Sequence, residues 1–271
     1  DEREVNYWRE NLKAGNLYIN RGTTGAIVLR QPFGGMGKSA VGAGRKVGIF
    51  NYITQFVDFK EKTDPEVKRA YQTDLTNFIT ACKDKYTKER DEFEKLDIAL
   101  QSYYHSHKTE FSQEKDYCNI RGEDNLFRYL PLDNVLIRVS KDDSIFEALS
   151  RILAARVSNV HFKVSVDENN KTVCELLQNA STLFTNRDSF VVQSEKEMLR
   201  NVSKYDRVIF SDISKVSSDV FNEALKTLTF VVRQKPMMEG RLELLNYFKE
   251  QSISHSYHRY GNIAARELGI K

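Results

Sequence analysis

From residue 132 onward, short apolar runs rich in β-branched residues alternate with amphipathic helical stretches. The runs are NVLIRVS, VHFKVSV, SFVVQ, DRVIFSD and TFVVRQ. The stretches between and after them lie near Ile145–Val157, Thr172–Ala180, Glu195–Val202, Asp219–Leu225 and Arg241–Gln251. Such alternation is typical of a parallel sheet whose right-handed crossovers place helices on both faces. The pattern predicts an α/β fold with a Rossmann-like, doubly wound parallel sheet in the second half of the chain.

The middle of the chain predicts helices. From Asp64 to about Phe111 the sequence is free of glycine, rich in charge, and apolar at helical spacing. Asp64 is placed to cap a helix that has Pro65 at its first position. We expect about two helices in this region.

The first sixty residues have a mixed pattern. Residues 3–13 have the spacing of a short amphipathic helix, with Gly15 at the C-cap position. Asn16–Asn20 predicts a strand, and Gly25–Leu29 a short extended piece. Ile49–Phe59 alternates apolar and polar residues, and it predicts a strand at a sheet edge or in an interface.

These patterns divide the chain into three consecutive parts. Residues 1–60 form the first part, residues 61–115 a helical connector, and residues 116–271 the Rossmann-like domain with its terminal segment. The missing initiator methionine and the charged start lead us to expect a piece of a longer protein.

Composition adds constraints on function. The chain has 271 residues, of which 40% are hydrophobic and 11% aromatic, and this argues against intrinsic disorder. Its 41 basic and 38 acidic residues leave a net charge of +3, which gives no support to nucleic-acid binding. The charged residues 1–4 lead us to expect no signal peptide, and no apolar run is long enough for a membrane span. Three separated cysteines without a CxxC pair favour a reducing cytoplasm.

One segment imitates phosphate-binding motifs, and a second lies where a nucleotide-binding fold would hold a phosphate. GMGKSA at residues 35–40 resembles a dinucleotide fingerprint and the end of a phosphate loop, but either motif has to open a helix. The residues that follow, VGAG, are a poor helix start. After the first predicted parallel strand, Ser140–Asp143 lacks glycine and places two carboxylates where a pyrophosphate would lie. We therefore expect neither segment to bind a nucleotide, although a nucleotide-binding α/β domain stays an alternative.

No side chain has the setting of a catalytic nucleophile. Cys82, Cys118 and Cys174 lie in no setting typical of an activated thiolate, and Cys174 comes closest only because it opens a predicted helix. His105 and His107 lie on a polar helical stretch without a matching set of metal ligands, so a surface contact is favoured over a metal site. Covalent chemistry by this chain alone is not expected.

The glycine-rich segment from Gly15 to Gly44 contains the best candidate site. The backbone N–H groups of Gly25 and Ala26, in a turn that glycine permits, are suited to holding a carboxylate without a cationic side chain. Phe33 is placed to supply an apolar wall. From the residues alone, an ordinary tight connection between strands explains the same pattern.

The order and spacing of three motifs favour the carboxylate site over an ordinary connection between strands. GNLYIN, TTGAIV and QPFGG together resemble the substrate-anchoring end of pyrroline-5-carboxylate (glutamate semialdehyde) dehydrogenases. The resemblance implies that the amides of Gly25 and Ala26 bind the substrate's α-carboxylate and that Phe33 packs against its aliphatic chain. It also implies that residues 49–59 are an oligomerisation segment and that the catalytic cysteine lies upstream.

Later segments extend the resemblance. SYYHSHKTEF, RGEDNLFRYLPLDNVLIRV and SHSYHRYGN resemble the C-terminal region of the bifunctional bacterial proline utilization A family. The longer members carry a dehydrogenase-like domain without an active site, whose terminal motif helps to close an internal channel. The lid residues implied here are His255, Tyr257, His258, Arg259, Tyr260, Gly261 and Asn262.

The resemblance implies a parent enzyme that uses FAD to oxidise proline and NAD to oxidise glutamate semialdehyde to glutamate. On this interpretation the partners are the upstream domains and sister subunits, and no cofactor is expected on this chain alone. We expect the isolated chain to be inactive and the parent to be cytoplasmic, with peripheral membrane association left open. The alternative is a non-enzymatic α/β interaction or assembly module.

Overall fold

The computed structural model describes residues 1–40, 42–67 and 70–257. The described α-helices are α1 Glu2–Asn11, α2 Asp74–Lys85, α3 Arg90–Ser106, α4 Ile145–Val157, α5 Lys171–Gln178, α6 Glu195–Leu199, α7 Ser218–Thr227 and α8 Gly240–Leu244. The described strands are β1 Asn16–Ile19, β2 Lys115–Asp116, β3 Glu123–Pro131, β4 Asn134–Val139, β5 His161–Val166, β6 Ser189–Val192, β7 Arg207–Ile209, β8 Phe230–Val232 and β9 Phe248–Ser256.

The chain folds into two compact units, which differ from the three consecutive parts that the sequence predicts. Of the described residues, the first unit contains those within 1–57, 113–130 and 249–257, and the second contains those within 58–112 and 131–248. The helical region and the parallel sheet therefore belong to one unit. The segments around β3 and β9 join the first sixty residues instead of the Rossmann-like domain.

The second unit contains the predicted parallel sheet. Its strand order is β6-β5-β4-β7-β8, and every neighbouring pair is parallel. The order reverses direction between β4 and β7, as in doubly wound folds. The inner strands are buried on both faces, which explains why they are continuous apolar runs. The α/β, Rossmann-like fold class is confirmed.

Helix α4 has the bounds that the sequence predicts, because its local signals agree with its packing. Ser144 caps the helix by accepting from the Glu147 amide, and the Glu147 carboxylate accepts from the Ser144 amide. Leu149, Ile152 and Leu153 are completely buried. The helix is therefore fixed both at its start and along its apolar face.

The helical region begins later than predicted. Thr73, not Asp64, is the N-cap of α2, and its hydroxyl accepts from the Thr76 amide. The side chain of Gln101 on α3 hydrogen-bonds both the amide and the carbonyl of Tyr71, at 3.0 and 2.9 Å. These bonds use the backbone groups that an earlier helix would need, so α2 starts after them.

The predicted helix at Arg241–Gln251 is wrong in its second half. Helix α8 ends at Leu244, a short 3₁₀ turn follows, and strand β9 begins at Phe248. The buried Arg207 guanidinium donates to the carbonyls of Leu245, Asn246 and Phe248. These long-range hydrogen bonds engage carbonyls that would otherwise accept the next helical hydrogen bonds. The local sequence pattern does not predict them.

The first unit is built on a sheet of order β1-β9-β3-β2. Strands β1 and β9 are parallel, with Leu17 opposite Ile253 and Ile19 opposite His255. Leu17, Ile19 and Ile253 form a buried cluster, against which Trp8 of α1 packs. Helix α1 ends at Asn11 with Leu12 as its C-cap, so Gly15 is not the C-cap as predicted.

The predicted strand at Ile49–Phe59 is a 3₁₀ helix over Phe50–Gln55. Its one buried residue is Asn51, whose amide group donates to the Tyr129 hydroxyl at 2.8 Å and to the Glu250 carboxylate at 3.0 Å. Thr54 Oγ1 also donates to the Asn51 carbonyl. A buried polar side chain in the middle of the segment and this local bond favour the turn over an extended strand. No described strand pairs with residues 50–55.

A buried ion pair fixes the core of the second unit. Arg151 on α4 and Glu243 on α8 are each 1% exposed, and their side chains lie 2.5 Å apart. Arg151 also donates to the carbonyls of Phe210 and Gln234, while Glu243 accepts from the Met237 amide. The pair therefore joins two helices to the loops that follow β7 and β8.

Removing only one charge of this pair is expected to be costly. Arg151→Met leaves the Glu243 carboxylate buried without its cation, and we expect a loss of about 3–5 kcal/mol in the free energy of unfolding. The double variant Arg151→Met/Glu243→Leu is expected to recover at least half of that loss. Urea unfolding followed by far-UV circular dichroism measures both.

The matched control is Arg90→Met, since Arg90 pairs with Glu94 on the exposed surface of α3. It is expected to change the free energy by less than about 1 kcal/mol. Equal losses for Arg151→Met and Arg90→Met would show that the buried pair does not have the stabilising role assigned to it.

Candidate functional site

Residues 21–30, which we name the anchor loop, follow directly after β1 and contain the predicted carboxylate-binding residues. Gly25 has a φ of +80°, and a Cβ built on it would meet no heavy atom within 4 Å. Both Gly25 and Ala26 are exposed. Within the described ranges, neither of their backbone N–H groups has a hydrogen-bond partner. The loop therefore presents two N–H donors without described partners. The backbone conformation of Gly25 is one that only glycine adopts readily.

The end of the anchor loop is fastened by Gln31. Gln31 Oε1 accepts from the backbone N–H of Ile27 at 3.0 Å, and the backbone N–H of Gln31 donates to the Ile27 carbonyl at 2.8 Å. The Leu29 amide adds a bond to the Gly48 carbonyl at 2.9 Å. The residues just after Ala26 are thus fixed, while the two candidate amides make no described hydrogen bond.

Phe33 lies at the base of the loop. Its backbone pairs with Val47 through two hydrogen bonds of 2.8 and 2.9 Å, and its side chain is 55% exposed. The open surroundings of Gly25 show that the Phe33 ring does not cover that glycine. The three predicted residues therefore lie on one continuous segment, with the ring and the amides apart.

The turn Pro32–Gly35 is held by long-range contacts. The Asn16 side chain donates to the Pro32 carbonyl at 2.9 Å and accepts from the Gly34 amide at 3.1 Å. Ser252 on β9 also donates to the Pro32 carbonyl, and Lys46 Nζ donates to the Gly34 carbonyl. The aromatic-glycine turn is therefore a specified structure and not a loose connector.

Lys46 and Glu250 are buried charges beneath this turn. Burial lowers the pKa of Lys46 to about 8, while the nearby carboxylate of Glu250 opposes the shift. Glu250 accepts from the Lys46 amide at 2.7 Å and from the Asn51 side chain at 3.0 Å, and it pairs with Arg45 at 3.5 Å. Sequence reasoning missed this cluster. No local pattern relates residues 45 and 46 to Glu250, because β9 is far from them along the chain.

A second missed cluster lies under the two ends of the anchor loop. Glu123, the first residue of β3, accepts from Arg21 at 3.1 Å, from Arg30 at 2.8 Å and from Gln31 Nε2 at 2.7 Å. Ser254 on β9 accepts from Arg21 Nη1 at 2.8 Å. Strands distant in sequence thus provide the groups that hold the loop.

The predicted lid residues are only partly within the described range. His255 lies on β9 opposite Ile19, with its ring nitrogen 3.4 Å from the Asn20 side chain. Tyr257 exchanges hydrogen bonds with Gly122 through its amide and its hydroxyl, both at 3.1 Å. The predicted lid residues outside the described residues are His258, Arg259, Tyr260, Gly261 and Asn262. A lid role stays a prediction.

The structure gives neither residues 35–40 nor residues 140–143 the geometry of a phosphate-binding turn. Gly37–Ser39 forms a single 3₁₀ turn, and the residue after it is extended, so no α-helix begins there. In the second unit the Asp143 carboxylate accepts from the Ser140 amide at 2.7 Å and pairs with Lys215. A carboxylate therefore lies where the turn of a dinucleotide site would receive a phosphate.

The remaining titratable candidates do not form a site. All three cysteines are free, and burial raises the pKa of the Cys82 thiol to about 11, which makes it a poor nucleophile. Burial lowers the pKa of His107 below its usual value. Among the described residues, no group of three metal-binding side chains comes together, and no helix is long and apolar enough to cross a bilayer.

Comparisons with known proteins place these features in a family context. The aldehyde dehydrogenase family matches residues 1–61. The 1-pyrroline-5-carboxylate dehydrogenases of Bacillus thuringiensis (strain Al Hakam) and Bacillus mycoides (strain KBAB4) are each 45% identical over 56 residues, covering 21% of this chain and 10% of theirs. The structure of proline utilization A from Corynebacterium freiburgense is 27% identical with a TM-score of 0.66. That match covers 96% of this chain and 22% of the other.

This chain is similar to a part of proline utilization A. The likeness to proline utilization A extends over both units, whereas the aldehyde dehydrogenase match ends at residue 61. The resemblance predicted from GNLYIN, TTGAIV, QPFGG and the later segments is confirmed. The anchor loop and Phe33 lie within the matched aldehyde dehydrogenase region.

Gly15 is expected to tolerate no side chain. A Cβ on Gly15 would overlap the Gly34 carbonyl and Lys46 Nζ, whereas a Cβ on exposed Gly22 would meet nothing within 4 Å. We expect Gly15→Ala to lower the free energy of unfolding of the first unit by about 1–3 kcal/mol. The matched control Gly22→Ala is expected to stay within about 0.5 kcal/mol of wild type.

The single tryptophan, Trp8, packs on the β1–β9 cluster, so its fluorescence during urea unfolding reports on this unit. Equal stability of the two variants would contradict the close packing of Gly15 against the Gly34–Lys46 turn.

Proposed function

We propose that this chain is part of a longer bifunctional enzyme of proline catabolism. That enzyme oxidises proline with FAD and then oxidises glutamate semialdehyde, derived from pyrroline-5-carboxylate, to glutamate with NAD. The proposal is carried by the likeness to proline utilization A over 96% of the chain. The aldehyde dehydrogenase match over the anchor loop and the 1-pyrroline-5-carboxylate dehydrogenase relatives support it further.

Within this enzyme, the anchor loop binds the substrate's α-carboxylate. Gly25 and Ala26 offer two exposed N–H groups without internal partners, and the positive φ of Gly25 allows successive amides to converge on one anion. The missing Cβ lets the carboxylate approach the backbone closely. Phe33, with half its ring exposed, supplies apolar surface for the aliphatic chain.

The nucleophile and the cofactors belong to the rest of the enzyme. No described cysteine of this chain has an activated thiol setting, and the Asp143 carboxylate makes the turn after β4 a poor fit for a dinucleotide phosphate. NAD would accept hydride from the substrate in the complete enzyme. This chain's own contribution is to bind and orient the carboxylate end of the substrate.

The segment 49–59 is proposed to bury its apolar side chains against a sister subunit. Phe50, Ile53 and Phe56 are 55%, 63% and 69% exposed, which is unusual for large apolar residues so close in sequence. A 3₁₀ helix presents this surface instead of the expected strand. Cytoplasmic location, peripheral membrane association and a lid role for residues 255–262 remain parts of the proposal. A purely structural assembly module is not favoured.

NADH formation from glutamate semialdehyde tests the proposal directly. We expect the full-length protein that contains this chain to produce NADH, and Gly25→Val to raise KM by about tenfold or more through a blocked carboxylate site. This chain alone is expected to produce none. Full-length protein without semialdehyde oxidation, or activity of this chain by itself, would contradict the proposal.

A further inference from the structure

We propose that Glu123 is a positioning residue that sets the shape of the carboxylate anchor. The inference rests on the proposed function of the anchor loop. Glu123 does not contact the candidate amides itself, and its contacts are at the two ends of the loop. It controls the amides through Arg21, Arg30 and Gln31.

The two ends of the loop converge on a single carboxylate. Arg21 at the start of the loop reaches Glu123 Oε1 at 3.1 Å, and Arg30 at its end reaches Oε2 at 2.8 Å. Glu123 is only 14% exposed, so these charge pairs are partly shielded from water. One group therefore closes the loop at its base, leaving its tip to adopt the conformation that the fixed ends allow.

Glu123 also contributes to the orientation of the Gln31 side-chain amide, together with Asn125, whose Oδ1 accepts from Gln31 Nε2 at 2.8 Å. A carboxylate only accepts hydrogen bonds, so the Gln31 Nε2 group has to face Glu123, at 2.7 Å. The Gln31 Oε1 atom then faces the Ile27 amide, from which it accepts at 3.0 Å. Ile27 directly follows Ala26, so this chain of bonds runs from Glu123 to the residue beside the candidate anchor.

The loop tip has no other described support. Residues 23–26 make no described hydrogen bond of their own, and a Cβ on Gly25 would face open space. With Glu123 neutralised, Arg21 and Arg30 lose their ionised acceptor, and Gln31 Nε2 loses its charged acceptor while keeping those of Asn125 and Ser254. The amides of Gly25 and Ala26 then sample several arrangements, and ordering them costs binding free energy.

The test compares Glu123→Gln with the matched control Glu114→Gln in the full-length protein. Glu114 belongs to the same unit and also bridges two arginines, Arg9 at 2.6 Å and Arg128 at 2.8 Å, away from the anchor loop. Both variants remove one carboxylate from a pair of guanidinium groups. The difference between them isolates the connection to the loop.

Two aldehydes separate positioning from general destabilisation. For glutamate semialdehyde we expect Glu123→Gln to raise KM about tenfold, with kcat changed less than about threefold and KM for NAD unchanged. For propanal, which has no carboxylate, we expect kcat/KM to stay at the wild-type value. Glu114→Gln is expected to leave both substrates unchanged. Glu123→Asp is expected to recover part of the lost affinity.

Three results would overturn the proposal. Unchanged KM for the semialdehyde would show that the anchor does not depend on Glu123, and equal losses for both aldehydes would indicate a structural role. A lower KM would show that the freed arginines bind the carboxylate themselves. Each result differs from the failure of the proposed function, in which the wild-type protein oxidises no semialdehyde.

Hydrogen exchange decides the question independently of activity. The Ile27 N–H donates a hydrogen bond to Gln31 Oε1. We expect this N–H to exchange at least about tenfold faster in Glu123→Gln than in wild type or Glu114→Gln. Exchange at β1 residues 16–19 is expected to be equal in all three proteins. Unchanged exchange at Ile27 would refute the connection from Glu123 through Gln31.

Discussion

The pairing of β9 with β1 is the interaction on which the candidate site depends. Strand β9 lies between β1 and β3, so residues from the far end of the chain complete the sheet that begins at Asn16. The Ser252 hydroxyl donates to the Pro32 carbonyl, the Glu250 carboxylate accepts from the Lys46 N–H, and the Ser254 hydroxyl accepts from Arg21. Without β9, the Pro32 turn and the anchor loop would lose the partners that give them one shape.

Buried charges make this shape specific at a cost in stability. Lys46, Arg45 and Glu250 are removed from water beneath the turn, and the lowered pKa of Lys46 reflects the penalty of keeping an ammonium group there. Glu123 is similarly shielded between two arginines. Apolar residues in these places would carry a smaller desolvation penalty, but they would not fix the orientation of Gln31 or of the Gly34 carbonyl. The charges therefore lie where they fix the geometry of the proposed anchor loop and of the Pro32 turn.

Local patterns predicted the parallel sheet, α1 and β1 well, and residues 49–59 and the start of β9 poorly. The five strands of the second unit were each visible as apolar runs, and α4 was bounded by its own capping box. The first four residues of β9 were assigned to a helix, because their conformation depends on bonds from Arg207 and on pairing with β1. The glycines of the anchor loop were found from motif spacing. Glu123 and Gln31 were missed, because only the folded chain brings them together.

Hydrogen exchange in a shortened chain tests most directly whether β9 completes the first unit. The chain ending after Phe248 is compared with the chain ending after Tyr257, with β4 and β5 as internal references for an intact second unit. The account predicts that residues 16–19 exchange at unfolded rates in the shorter chain and stay protected in the longer one, while β4 and β5 stay protected in both. Equal protection of residues 16–19 in the two chains would contradict it.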